Sequence, residues 1–224
     1  MQILNRTYKS IREKGLSRTY QSVISVLEDF YFEMKYGVTT SKIVKREDLD
    51  ISEISKEHSE EYKPTRIRHF RLLIKGLKLP EESVFVDMGS GKGRVLLMAS
   101  MNNFKRVTGV EISSRLCEIA RNNTMKFEKK LKRPLHIEVV NEDVLKYNVK
   151  NDENVFYFYK PFDNFVMETI IERINKSLIE NPRKAWMIIN NFLPFSALIE
   201  NKYKLRTIKK FIYGGTEFAV YIID

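Results

Sequence analysis

The segment Val84-Phe85-Val86-Asp87-Met88-Gly89-Ser90-Gly91-Lys92-Gly93-Arg94 constrains this chain more than any other. Its apolar residues predict a strand, Asp87 stands at the strand's carboxyl end, and three alternate glycines turn the backbone into a helix, KGRVLLMASM. Glycine is needed where backbone bends sharply or approaches a ligand closely, because a Cβ would collide. Open α/β sheets bind ligands beyond the carboxyl ends of their strands, where this loop falls. Two nucleotide-binding patterns fail here. A phosphate-binding P-loop needs a glycine where Val86 stands and a Ser or Thr where Gly93 follows Lys92. A dinucleotide fingerprint needs a third glycine where Arg94 stands. An acidic residue two places before the first of three alternate glycines remains.

The surrounding sequence supplies a matching fold. After Glu81, short apolar runs (RVTGVEI, HIEVV, NVFYFY, KAWMIINN) alternate with helical patterns, which is the mark of a parallel sheet covered by helices. Ser113 or Ser114 is expected to cap one helix and Asp163 the next. A short helical stretch is expected near Phe195–Asn201. The end, KLRTIKKFIYGGTEFAVYIID, reads as a hairpin turning at Gly214-Gly215. The fold expected is α/β: a Rossmann-like open sheet, mainly parallel with a C-terminal antiparallel hairpin, with helices on both faces. Before this part, Ile3 to about Tyr36 has helical spacing, with Val23, Val26, Leu27 and Phe30 on one face. A charged connection, 41–63, leads to a helix with Ile67, Phe70, Ile74 and Leu77 on one side and Arg68, Arg71, Lys75 and Lys78 beside them. Pro80 is expected to stop it. Residues 1–63 are thus expected to form a helical N-terminal cap on an α/β domain of residues 64–224.

Composition narrows the function classes. With 224 residues, 43% of them hydrophobic, the chain can bury one sizeable core. No apolar run approaches the length of a membrane span, and the start lacks the apolar stretch of a secretory signal. One cysteine, Cys117, rules out an internal disulfide and fits a reducing, cytoplasmic setting. Three scattered histidines, His58, His69 and His136, lack zinc-site spacing, so no metal is expected. The net charge of +10 favours acidic partners, nucleic acid among them.

Two further acidic positions extend the loop. Glu111 ends the second strand, close to the offset at which such folds place a ribose ligand. A carboxylate there can accept from both vicinal hydroxyls. Asn141-Glu142-Asp143-Val144 follows the third strand. With Asp87 and the glycine loop, the chain resembles the class I S-adenosylmethionine-dependent methyltransferases. Tyr159-Lys160-Pro161-Phe162 at the end of the fourth strand is similar to the Asn-Pro-Phe ending of one bacterial branch of them. Tyr62-Lys63-Pro64-Thr65 and Tyr36-Gly37-Val38-Thr39-Thr40 match further segments of that branch. The loop is also similar to that of the non-SET histone-lysine methyltransferases. The resemblance implies S-adenosyl-L-methionine as cofactor, held by Asp87, Gly89, Ser90, Gly91, Gly93, Glu111, Asp143, Tyr62 and Thr65. It implies that Asp143, with Glu142 in reserve, meets the adenine amino group, and that the fourth-strand end faces the methyl.

Candidate catalytic residues are accordingly Tyr159, Lys160 and Asp163. From the N-terminal side, Tyr36, Thr39, Tyr62 and Thr65 are expected to line the pocket, and His69 is expected at the surface among its arginines. Lys160 departs from the branch's Asn. An Asn oxygen accepts from a substrate amine, whereas a charged Lys only donates, so an anionic acceptor is one reading. The acceptor itself stays open among small molecule, protein side chain and RNA. Two alternatives stand beside methyl transfer. A basic nucleic-acid- or protein-binding module would not need both Asp87 and Glu111, and an aminopropyl transferase would show more acidic residues at the fourth-strand end.

Overall fold

The computed structural model describes residues 16–159, 162–192, 199, 203, 205, 207–213 and 215–223. Lys160 and Pro161, Gly214, most of the stretch Phe195–Asn201 and the segment preceding residue 16 lie outside them. Seven strands form one sheet: β1 (Val84–Met88), β2 (Arg106–Glu111), β3 (Ile137–Asn141), β4 (Glu153–Tyr159), β5 (Ala185–Asn190), β6 (Thr207–Tyr213) and β7 (Thr216–Ile223). Their order is β3-β2-β1-β4-β5-β7-β6. The first five run parallel; β7 joins β5 antiparallel and pairs with β6 as the expected hairpin. The order reverses between β1 and β4, so a crevice opens beyond their carboxyl ends.

Helices cover both faces. They are α1 (Leu16–Tyr36), α2 (Glu53–Glu57), α3 (Ile67–Gly76), α4 (Arg94–Ala99), α5 (Ser114–Leu131) and α6 (Asn164–Glu180). Strand alternation divides the core. Val86, Met88, Phe156 and Phe158 face Val166, Met167, Ile170 and Ile174 of α6. Phe85, Val107, Tyr157 and Ile188 point the other way, toward Phe32 and Tyr36 of α1, Phe70 and Leu73 of α3, Leu96 of α4 and Phe127 of α5. Ser113 caps α5 by accepting from the Leu116 amide at 3.1 Å, and Asp163 caps α6 by accepting from Val166 at 3.0 Å.

Three expectations are corrected. On α1 the face that packs inward carries Ser25, Asp29, Phe32 and Tyr36; Val23, Val26, Leu27 and Phe30 are exposed. His69 is buried, with Nδ1 2.8 Å from the Thr216 hydroxyl and Nε2 3.3 Å from that of Ser25, because α3 turns it between α1 and β7. Helix α3 ends at Gly76 rather than continuing to Pro80, and Lys209 of β6 donates to the Gly76 carbonyl at 2.8 Å. No helix among the described residues is long and apolar enough to cross a membrane.

Candidate active site

A cavity of about 450 Å³ opens at the strand-order reversal. Its floor is the loop after β1. The amides of Gly89 and Ser90 donate to the Val110 carbonyl at 2.9 and 3.0 Å, which ties the loop to the end of β2. Gly91 takes φ +53°, and a Cβ there would collide with the Tyr62 ring. The space beside Gly91 is therefore filled by this aromatic side chain and is not open to a ligand. Tyr62 is fixed in turn: its hydroxyl donates to the Thr40 carbonyl at 2.7 Å, its backbone bridges to Val44, and the Lys92 ammonium lies 5.1 Å from the ring centroid.

Two carboxylates stand at the ends of the adjacent strands β1 and β2. Glu111 accepts from the Gly91 amide at 2.8 Å through Oε2 and from the Ser113 amide at 2.9 Å through Oε1. Burial nevertheless raises its pKa, the two amides opposing the shift. Asp87 is buried, and no donor among the described residues reaches its carboxylate. Burial first, and then the charge of Glu111, raise its pKa well above the usual carboxylate range. Ser90 and Asn190 also belong to the lining, but Ser90 Oγ and Asn190 Oδ1 are turned away from solvent, Ser90 Oγ against Gly109 of β2, and neither has a hydrogen-bond partner among the described residues.

The other implied residues divide by position. Asp143 lines the cavity, its Oδ1 accepting from Leu145 at 2.9 Å; Glu142 does not line it. Thr65 and Tyr159 line it as well. The Thr65 hydroxyl lies 3.0 Å from the Tyr157 hydroxyl, to which Asn190 donates at 3.1 Å. Burial raises the Tyr159 pKa, with Lys63 and Arg66 opposing. Gly93 stands outside the lining. It caps α4 with φ +79°, and a Cβ would meet that of Ala120 at 3.0 Å, so it serves helix packing. Tyr36 and Thr39 are also outside: Tyr36 packs on Phe32 and Phe127, and Thr39 bonds Asn123. Lys160 lies outside the described residues.

Asp163 is exposed at the rim, where its Oδ2 lies 2.5 Å from Nδ1 of His58, a residue of the lining. This bond raises the His58 pKa. Asp163 moves down although burial pushes it up, because His58 and the Val166 amide outweigh burial. The sequence offered no signal for this pair, whose members are 105 residues apart.

Arg94 is one of the fully buried side chains, and its partners lie more than 25 residues away in sequence, beyond any local pattern. Its Nε donates to Thr40 Oγ1 at 2.7 Å and Nη2 to Ser41 Oγ at 2.5 Å, while Nη1 lies 3.2 Å from Asp29. It thus ties the start of α4 to α1 and the segment after it. Asp50 similarly reaches α5, accepting from Ser113 Oγ, from Ser114 Oγ at 2.6 Å and from the Arg115 amide at 2.9 Å.

Comparison with known proteins gives the same picture. The family model described as "Histone methylation protein DOT1" matches residues 41–202. An rRNA adenine N-6-methyltransferase of Limosilactobacillus reuteri is 25% identical over 118 residues, which are 52% of this chain and 43% of that protein. The chain thus spans less than half the length of this curated relative. Among solved structures, an RNA methyltransferase from Salinibacter ruber in complex with S-adenosyl-L-homocysteine superposes with TM-score 0.52 at 17% identity, covering 71% of this chain and 93% of that one. An S-adenosylmethionine-dependent methyltransferase from Aquifex aeolicus does so with TM-score 0.54 at 15% identity, covering 73% and 100%. At these identities the likeness is one of fold.

Proposed function

The chain belongs to the family of DOT1 histone methylation proteins, and from that premise we propose that it transfers the methyl group of S-adenosyl-L-methionine to a nucleophile entering the cavity past Tyr159. The observation that carries this reading is the buried pair Asp87 and Glu111 beside the glycine loop. Burial and the Glu111 charge raise the Asp87 pKa, and an α-ammonium at Asp87 would remove that repulsion. The amides of Gly91 and Ser113 use one lone pair on each Glu111 oxygen, which leaves further acceptor sites for vicinal ribose hydroxyls. Asp143, in the lining, would accept from an adenine amino group. The residues therefore fit the cofactor.

When bound, S-adenosylmethionine supplies a methyl group on a cationic sulfur, whose displacement neutralises the charge. The protein's own part is alignment, which can supply several kcal/mol of barrier reduction. Tyr62 covers the loop, while Thr65, Tyr157 and Asn190 hold a rigid polar wall next to Tyr159. Residues 1–63 act as the cap that selects the acceptor, through the lining residues His58, Tyr62 and Lys63. The lining carries Glu60, Glu61, Asp143 and Glu217. Lys63, 2.5 Å from Glu61, stands in the same lining, so the cavity offers an acceptor both signs of charge. The chain acts as a soluble, cytoplasmic enzyme in this reading.

Calorimetry with S-adenosylmethionine and S-adenosylhomocysteine tests the proposal, with micromolar affinity expected, on the order of 6–9 kcal/mol. Binding of NAD or ATP with no heat from either cofactor form would overturn it. A labelled-methyl screen of cell extract, with ribonuclease- and protease-treated arms, then identifies the acceptor class.

A further inference from the structure

The outward face of α1 takes no part in the cavity or in the core. Tyr20, Val23, Val26, Leu27, Phe30, Tyr31 and Met34 are each between 45% and 67% exposed, and the helix packs on α3 and α5 through its opposite side. Together these side chains offer roughly 800 Å² of apolar surface, beyond the patches of a few hundred Å² that monomers usually expose. It is also about what each partner contributes to an interface of standard size.

Spacing identifies the kind of partner. Tyr20, Val23, Leu27, Phe30 and Met34 follow one another at intervals of three, four, three and four residues. That is the 3.5-residue repeat of a seam that another helix fills by knobs-into-holes packing. The partner is therefore a helix of comparable length, about 30 Å for a segment the size of α1.

Symmetry identifies which helix. The seam is centred on Leu27, with Tyr20 seven residues before it and Met34 seven after. Two antiparallel copies with a two-fold axis at Leu27 place Tyr20 against Met34. They also place Val23, the smallest seam residue, against the large and exposed Tyr31. Each layer thus repeats on the other side of the axis with its members exchanged, as a self-complementary contact requires. We propose that the α1 face is a homodimer interface, formed antiparallel with α1 of a second copy about an axis at Leu27.

The full chain, examined by light scattering after size exclusion at tens of micromolar, is expected to show twice its protomer mass of 26.5 kDa. Leu27→Glu, which places two like charges at the axis, is expected to halve that mass, and Lys126→Glu on α5 to leave it unchanged. A full chain that is monomeric overturns the proposal, whether it stays free or sediments with phosphatidylglycerol vesicles. So does a dimer that survives Leu27→Glu. A second arm keeps the dimer intact. Under mild oxidation Leu27→Cys is expected to give a cross-linked dimer, whereas Met34→Cys alone is not, because position 34 faces position 20. Cross-linking through Met34→Cys instead would mean a parallel contact and overturn the axis.

Discussion

Asp87 is a buried carboxyl at the end of a central strand. Its carboxyl is raised well above 3.8 by burial and by Glu111. Its acid form is favoured in the fold, so the unfolded chain releases this proton first. The stability it confers is full below the unfolded value and is lost as pH rises through the folded one. A cationic ligand binds the ionised form, so affinity for S-adenosylmethionine is expected to rise over the same window. Melting temperature and calorimetric affinity measured between pH 4 and 8 should therefore move in opposite directions. Asp87→Asn should flatten both trends while weakening binding by about 1–3 kcal/mol. Gly91→Val is a different perturbation. The new side chain displaces the Tyr62 ring and forces a positive φ on a β-branched residue. Lost cofactor binding together with a lower melting temperature is expected. A variant that binds and melts like the parent would mean that the loop and Tyr62 move freely.

At the scale of elements, the site depends on short connections pinned to helix ends. Asp50 accepts from three donors at the start of α5 and is held at about 2, its donors outweighing burial. The stability it adds is present above its ordinary value and is lost as pH falls toward about 2. Asp50→Ala should cost about 0.5–1 kcal/mol, the lower part of the capping range, since the group is exposed. It should also loosen residues 41–63, read as faster amide exchange at Leu49 and Ile54. Arg94 acts more strongly. Removing it leaves Asp29 and Glu33 without one of their cations, and breaking a buried pair costs about 3 kcal/mol or more. Arg94→Met should lower stability by that order in urea unfolding. An unchanged midpoint would show that Arg66 alone satisfies Asp29.

At the scale of the whole molecule, the N-terminal part and the α/β part share one core. Phe32 and Tyr36 pack with Phe127, and Ile67, Phe70 and Leu73 pack in the same cluster as Phe85 and Tyr157. A fragment of residues 63–224 would expose this apolar surface and leave Arg94 without Asp29, Glu33, Thr40 and Ser41. It is expected to aggregate, or to fold without cofactor affinity, as judged by circular dichroism and calorimetry. Full affinity in the fragment would overturn the cap reading. The molecule is therefore expected to unfold in one transition, with no separate melting of residues 16–62 in a calorimetric scan.

The strands, the loop after β1 and the caps Ser113 and Asp163 could be read from the sequence because each is local. Alternation of apolar residues, glycine at a sharp turn and a short polar side chain before a helix act over a few residues. Asp87, Glu111 and Asp143 could be placed around one cavity for the same reason, since strand ends in a parallel sheet lie side by side. Which face of α1 is buried could not be read, because the helix carries two apolar faces and only the surface it meets chooses between them. The burial of His69 and the end of α3 at Gly76 depend likewise on β6 and β7, more than 100 residues away. The Tyr62 ring over Gly91, the Arg94 cluster and the His58–Asp163 pair join segments that no periodicity relates. Local geometry made the elements, and long-range packing decided which side chains they bring together.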